Sequence, residues 1–539
     1  MQTCWLIFTF TILLCIIFTI VKSLLSSIFN NPKNKKNHLP LPPGPSTLLV
    51  LKSFLIFVWH RMTVFDMEPK LRDLKTKHGP LFSLGLKSKP TIFIASQSLA
   101  HLALIQKGAV FSDRPSSQNA PLLKIFDSNA HKISTATYSA TWRLLRRNLA
   151  LEILNPSRVK SYSRARDWVL SLLIRRFLDE FPEPIYVVDH FRYGMFCLLV
   201  FMCFGDKLPE EKIRDIETVQ RRWLLSLGRM NLFILWPKLG KILFGRQWKE
   251  LLRVRKDQEN TFLPLIRARI TKKSGVDYGN KEEEAVAYVD TFVDLHLPDE
   301  NRKLNDQEMV SLCGEFLNTG TDTTATALQW IMANLVKYPE IQDKLYEEIV
   351  RVVGLPQPLA PSFEDDRSAI LKGVVKEEHL EKMPYLKAIV LEGLRRHPPA
   401  HFVLPHSVTE DVELDGYMIP QNATVNVMVA DMGWDPYVWE DPMEFKPERF
   451  LNSTIDSHQL FDLTGNKEIK MMPFGAGRRM CPGYGLALLH LEYFVANFIW
   501  NFEWKAVDGV EVDLSEKQEF TVAMKNPLHA YIFPRVKLV

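Results

Sequence analysis

Nucleotide-binding motifs are missing from this chain of 539 residues. No Gly-x-Gly-x-x-Gly follows a predicted strand and no P-loop occurs, so nothing resembles a site for NADPH, flavin or a nucleoside triphosphate. Cysteine is scarce too. Of the six, Cys4 and Cys15 lie in an N-terminal apolar segment, and Cys197, Cys203 and Cys313 lie in apolar helical contexts. None has zinc-site or secreted-framework spacing, which points to a reducing compartment and free thiols. A strong charge of either sign is also lacking: 67 basic against 62 acidic residues leave a net +5. No basic block interleaved with aromatics suggests nucleic-acid binding, and nucleic acid is not an expected partner. Length alone suggests about three domains. No Gly/Ser linker or repeat divides the chain, however, and one large domain is the better reading.

Helical periodicity dominates, and shorter alternating runs at 81–95, 412–429 and 519–533 read as strands, giving a mainly α fold with minor β-sheets. The polar stretches 272–284 and 354–366 read as surface loops. The N-terminus differs in kind. Residues 5–21 are almost unbroken apolar sequence, continued past Lys22 to Phe29. A bilayer span needs about 20 such residues, so 4–29 reads as a transmembrane anchor; the competing signal peptide lacks a basic start and a small-residue cleavage site. Lys22, Lys33, Lys35 and Lys36 all follow the apolar run, which places the remainder in the cytosol. Residues 30–45 form a basic, proline-rich hinge, either a stiff mount for the domain at 46–539 or an ordinary linker.

In Phe474-Gly475-Ala476-Gly477-Arg478-Arg479-Met480-Cys481-Pro482-Gly483, a cysteine stands at the predicted start of a helix, between glycine turns and beside two arginines. Helix N–H groups supply the positive potential that a thiolate needs to hold a haem iron. Pro482 suits the first helical position, the glycines permit tight turns and close approach to a flat ligand, Phe474 can cover the sulfur, and Arg479 can pair with a carboxylate. A lone cysteine near glycines would read as an inert small hydrophobe.

This string fits Phe-x-x-Gly-x-Arg-x-Cys-x-Gly, and from about Pro40 onward the chain resembles the cytochrome P-450 family. Thr319-Gly320-Thr321-Asp322-Thr323-Thr324, Glu392-Gly393-Leu394-Arg395 and Pro447-Glu448-Arg449-Phe450 follow in the family's order. Asp113-Arg114-Pro115, the segment from Trp142 to Leu149, and Arg395-Arg396-His397-Pro398-Pro399 resemble the plant microsomal A-type group. The resemblance implies the P-450 fold and haem b, with Cys481 as iron ligand in the loop that includes Phe474, Arg479 and Gly483. It also implies a monooxygenase on the cytosolic face of the endoplasmic reticulum, single-pass, using O2 to oxidise an apolar small molecule. The implied electron donor is NADPH–cytochrome reductase. Arg143, Arg147 and Lys470 could present positive charge to it, or form a merely solvated basic face.

The remaining segments can be read for chemistry. Asn305 can cap a helix, with Glu308 three residues on, that runs to Tyr338 before Pro339 stops it. Its Gly/Thr run is costly in a helix, so it is either a tolerated kink or functional. Oxygen activation requires protons, and Asp322 beside Thr323 can relay them through water, with Thr323 as hydrogen-bond donor to dioxygen. Thr319 replaces the family's usual alanine or glycine and would narrow or polarise the space above the haem. Trp142 and Arg146, one helical turn apart, can hold a haem propionate. His406 occupies a place where the family often has another propionate ligand, although a histidine there can be simply hydrogen-bonded. The resemblance makes Glu392, Arg395 and Arg449 a buried structural lock behind the cysteine loop. It also places 115–133, 316–319, 400–404 and 521–524 around an apolar pocket, while 231–237 either dips into the bilayer or is ordinary buried sequence. The rivals are a haem-thiolate isomerase or dehydratase acting on a peroxide, and a non-catalytic haem sensor. The sequons at Asn422 and Asn452 should be unmodified in a cytosolic domain.

Overall fold

The computed structural model describes residues 39–45, 67–86, 89–115, 131–235, 244–275, 285–356, 374–451 and 461–536. The expected anchor at 4–29, the first part of the hinge, most of 115–133 and the sequon at Asn452 lie outside these residues, as do the side chains of 231–237.

The helix Asp306–Lys337 crosses the domain and organises the rest. Its cap is the one the sequence predicts: Asn305 Oδ1 accepts from the Glu308 N–H, and Glu308 Oε2 accepts from the Asn305 N–H, both at 2.9 Å. Tyr338 closes it where Pro339 opens the next helix, Pro339–Val353. At 32 residues it spans about 48 Å. Every residue from Thr324 to Val336 is buried, mostly apolar ones but with Thr324, Thr326, Gln329 and Asn334 among them, so this half is enclosed all round. Fully buried Leu328, Trp330, Ile331 and Leu335 contribute about 1.5–3 kcal/mol each.

Around this central helix pack Val187–Phe204, Pro384–Arg396 and Tyr484–Asn501. Val187–Phe204 is long and apolar enough to cross a membrane, yet most of it is buried against the central helix. A Cβ on Gly320 would come within 2.7 Å of Leu199 Cδ1, so the two helices meet closely there and a larger residue would push the leucine tip aside.

The predicted strands are present. Leu81–Leu86 pairs antiparallel with Lys89–Ile94, which pairs parallel with Thr424–Val427, which pairs antiparallel with His406–Ser407. This sheet carries His406 towards the cysteine loop's side of the domain. The hairpin of Glu516–Gln518 and Val522–Met524 is pinned to the central helix: Trp330 Nε1 donates to Val522 O at 2.8 Å, and the Thr326 and Thr521 hydroxyls meet at 2.8 Å. The 272–284 loop starts later than expected, because the helix Gly245–Gly275 continues through its lysines, which are good helix formers.

The end of the hinge lies in extended form against the sheet. Pro40 O accepts from Met418 N and Pro43 O from Ser83 N, each at 2.8 Å, and Pro42 O accepts from Ser83 Oγ at 2.8 Å.

Candidate functional site

The cysteine loop is fixed by its backbone. Gly475 and Gly477 have φ of +71° and +69°, the left-handed region that glycine tolerates, and a Cβ on Gly477 would meet Leu104 O at 2.1 Å. The Cys481 N–H donates to Phe474 O at 2.8 Å and closes the loop. The following helix begins at Tyr484 with Gly483 as N-cap, so Pro482 precedes the helix instead of opening it. The turn at Pro482 lets the Gly483 N–H reach the sulfur. Burial pushes the Cys481 thiol up, while the Gly483 N–H and the Arg146 guanidinium act in the opposite direction. Gly483 itself has φ −94°, a conformation that does not demand glycine. Phe474 is half-buried, and its ring stands 6.2 Å from that of Tyr484.

Beside this loop is a cluster of guanidinium groups. Arg146 is on the helix Ala140–Glu152, whose N-cap Ser139 accepts from Trp142 N, and its Nη2 donates to Met480 O at 2.5 Å. Arg479 donates to Ser112 O (2.8 Å), Ala136 O (2.7 Å) and Ile133 O (3.3 Å), and it stacks 4.1 Å from the Trp142 ring. Trp142 directs its indole N–H to Ile133 O at 2.9 Å. Arg114 donates to Ser134 O (2.8 Å), Leu404 O (2.7 Å) and Pro405 O (3.0 Å). His406 Nδ1 lies 2.7 Å from Phe111 O, the distance of a hydrogen bond donated to that carbonyl.

The electrostatics of this cluster are unbalanced. Burial pulls Arg114 down to about 9, helped by Arg479 and Arg146. Burial pulls Arg479 down to about 10, helped by Arg146, with Asp113 opposing in both cases. Burial, followed by Arg114, pulls His406 down to about 4 and keeps it neutral. Buried or half-buried guanidinium groups, with Asp113 the carboxylate that opposes them among the described residues, suit a ligand bearing two carboxylates. Together with the thiol held in its loop, these residues fit a haem with its propionates. Arg114 was not among the sequence-derived site residues. Its signal, Asp113-Arg114-Pro115, was present, but its partners are 20, 290 and 291 residues away in sequence.

On the central helix, Thr319 is exposed and its hydroxyl donates to Glu315 O at 2.7 Å; Thr323 Oγ1 donates to Thr319 O at 2.6 Å. Both hydroxyls are therefore held by carbonyls one turn back. Asp322 points elsewhere. Its Oδ1 is 3.3 Å from Arg192 Nε on Val187–Phe204 and 3.6 Å from Arg221 Nη1 on the helix Glu210–Leu235. Burial raises its pKa, and the two arginines offset part of that shift. Asp322 and Thr323 are adjacent in sequence, but each bonds to a different neighbour.

Glu392, Arg395 and Arg449 form a separate buried group. Arg395 grips Glu392 with Nε and Nη2 at 2.7 and 2.9 Å, and Arg449 Nε reaches Glu392 Oε1 at 3.1 Å. Arg395 Nη1 also donates to Gly433 O (2.5 Å) and Pro442 O (2.7 Å), so the set staples the helix Pro384–Arg396 to the segment beyond it. Phe450, next to Arg449, belongs to an apolar cluster that also holds Phe474, which links the group to the cysteine loop.

Comparison with known proteins gives the family. The sequence profile of the family described as Cytochrome P450 matches residues 42–533. The chain is 48% identical over 533 residues to Cytochrome P450 89A9 of Arabidopsis thaliana, covering 97% of this chain and 99% of that protein. It is 30% identical over 529 residues to salviol synthase of Salvia pomifera, covering 98% of each. It is 27% identical over 524 residues to costunolide synthase of Cichorium intybus, covering 95% of this chain and 97% of that protein. A solved zebra fish cytochrome P450 with progesterone shares the fold, with TM-score 0.67 at 19% identity over 86% of this chain and 97% of that chain. The chain belongs to the cytochrome P450 family, with plant A-type relatives; it is a P450 enzyme, and the family implies a haem cofactor, O2 and a redox partner.

Proposed function

We propose that this protein is a membrane-anchored haem-thiolate monooxygenase on the cytosolic face of the endoplasmic reticulum. It takes electrons from NADPH through NADPH–cytochrome reductase, uses O2, and oxidises an apolar small molecule, a plant metabolite. The observation that carries this reading is the buried cluster of Arg114, Arg146 and Arg479 around the loop of Cys481. When bound, haem would supply a metal that activates dioxygen, with a thiolate ligand donating electron density that favours O–O cleavage.

The residues divide the work. Cys481 is the ligand, and the Gly483 N–H and Arg146 stabilise its negative sulfur. Arg114, Arg146 and Arg479 would hold the two carboxylates, and Trp142 braces Arg479 by stacking; neutral His406, with its one N–H spent on Phe111 O, would donate to a carboxylate only after taking up a second proton. The Thr323 hydroxyl could leave Thr319 O and donate to dioxygen. Asp322, whose burial favours its protonated form, can bring protons inward from its place between Arg192 and Arg221. The exposed Arg143, Arg147 and Lys470 are the candidate contacts for the reductase. Relatives named salviol synthase and costunolide synthase support a plant metabolite as substrate.

The test is reconstitution in microsomes with NADPH–cytochrome reductase and a plant metabolite extract. Substrate loss that requires both NADPH and O2 is the expected result. Product formation from a peroxide without NADPH would hand the case to an isomerase or dehydratase, and haem binding without turnover to a sensor.

A further inference from the structure

Glu315 lies on the central helix one turn before Thr319 and two turns before Thr323. Its carboxylate turns away from that row to grip a loop. Glu315 Oε2 accepts from the Ile133 N–H and Oε1 from the Ser134 N–H, both at 2.8 Å. Two successive amides held by one carboxylate form a bidentate, charge-assisted clasp, stronger than two neutral hydrogen bonds. The carbonyls of the same short loop face the opposite way. Ile133 O accepts from Trp142 Nε1 and Arg479 Nη1, Ser134 O from Arg114 Nε, and Ala136 O from Arg479 Nη2. Two of the three clustered guanidinium groups thus take their orientation from a loop whose amides are held by the central helix.

We propose that Glu315 is a positioning residue: it ties the central helix to the 133–136 loop and, through that loop's carbonyls, sets Arg114 and Arg479 for the haem carboxylates. The clasp joins the oxygen-handling helix to the edge that holds the cofactor, so movement of one side reaches the other. The haem arm rests on the haem-thiolate reading, whereas the clasp itself does not.

The experiment compares Glu315→Gln, which keeps the shape but sets an NH2 group against one amide, with Glu315→Asp, which is too short to span both. Glu347→Gln, the same change at an exposed carboxylate on Pro339–Val353, is the control. Hydrogen exchange is followed in the peptide spanning 131–139, and haem loss by transfer to apomyoglobin. Both rates should rise about tenfold or more in Glu315→Gln, as the loss of charge-assisted hydrogen bonds predicts, and stay within about twofold in the control. The carbon monoxide difference band of thiolate ligation should keep its position. Unchanged exchange overturns the clasp. Faster exchange with unchanged haem loss overturns the positioning role, and Glu315→Asp decides if Glu315→Gln does not fold. Failure of the haem reading would show separately, as absence of that band in the unmodified protein.

Discussion

The two sides of the site are built differently. On the cysteine side nearly every donor ends on a backbone carbonyl: Cys481 N on Phe474 O, Arg146 on Met480 O, Arg479 on three carbonyls and Arg114 on three more. Left-handed glycines and a buried ion group stand behind it. On the central-helix side, beyond the Glu315 clasp, the polar groups of 319–323 hold local or longer-range partners: two threonine hydroxyls on carbonyls of their own helix, and a carboxylate at 3.3 and 3.6 Å from two arginines. One side is made to stay still. The other can change partners without breaking the fold, as the proposed proton relay requires.

If that contrast is right, changes on the cysteine side should remove the cofactor, and changes on the helix side should leave it bound. The largest effect is expected from Cys481→Ser, which should abolish the red-shifted band of the reduced, carbon monoxide-bound protein. Equivalent changes at buried Cys197, Cys203 and Cys313 should leave that band in place. Arg395→Ala comes next. It takes the bidentate partner from buried Glu392 and leaves Arg449 as the guanidinium still on it, at a cost of up to about 3–5 kcal/mol, so thermal melting should shift down and haem content fall.

Asp322→Asn and Thr323→Ala should both retain haem. Asp322→Asn should slow turnover by about 10²–10⁴-fold, the usual contribution of a positioned acid. Thr323→Ala should consume NADPH at a similar rate while releasing hydrogen peroxide in place of product. Unaltered coupling would remove Thr323 from the mechanism. The smallest effect concerns pH. His397 and His406 are held near about 4 by burial, below the ordinary value of 6.5. Between those values the unfolded chain binds more protons than the folded one, so stability should fall as pH drops from about 6.5 towards 4. His406→Gln should flatten part of that slope in melting temperature against pH.

The sequence was most legible where a local rule acts. Asn305 with Glu308 marked the start of the central helix to the residue, and Pro339 marked its end, because caps and breakers act over three or four positions. The cysteine loop was legible for the same reason, through glycines needed at positive φ. Pro482 was misplaced by two residues because a proline in a turn before a helix and one at its first position look alike in sequence. Arg114 as part of the guanidinium cluster, and the pairing of Asp322 with Arg192 and Arg221, were not legible. Their partners come from remote segments that only the packed fold brings together.

The proline segment at 39–45 has a mechanical consequence. With Pro42 and Pro43 bonded to Ser83 of the four-stranded sheet, and Pro40 to Met418 of the separate 412–419 hairpin, the segment is tied to both. The sheet includes His406, so a tilt imposed at residue 39 is transmitted as torque to the strand beside the cofactor's edge. The segment behaves as a lever arm, and lengthening it after Pro45 would leave that coupling intact, whereas cutting its three hydrogen bonds would let the domain swivel.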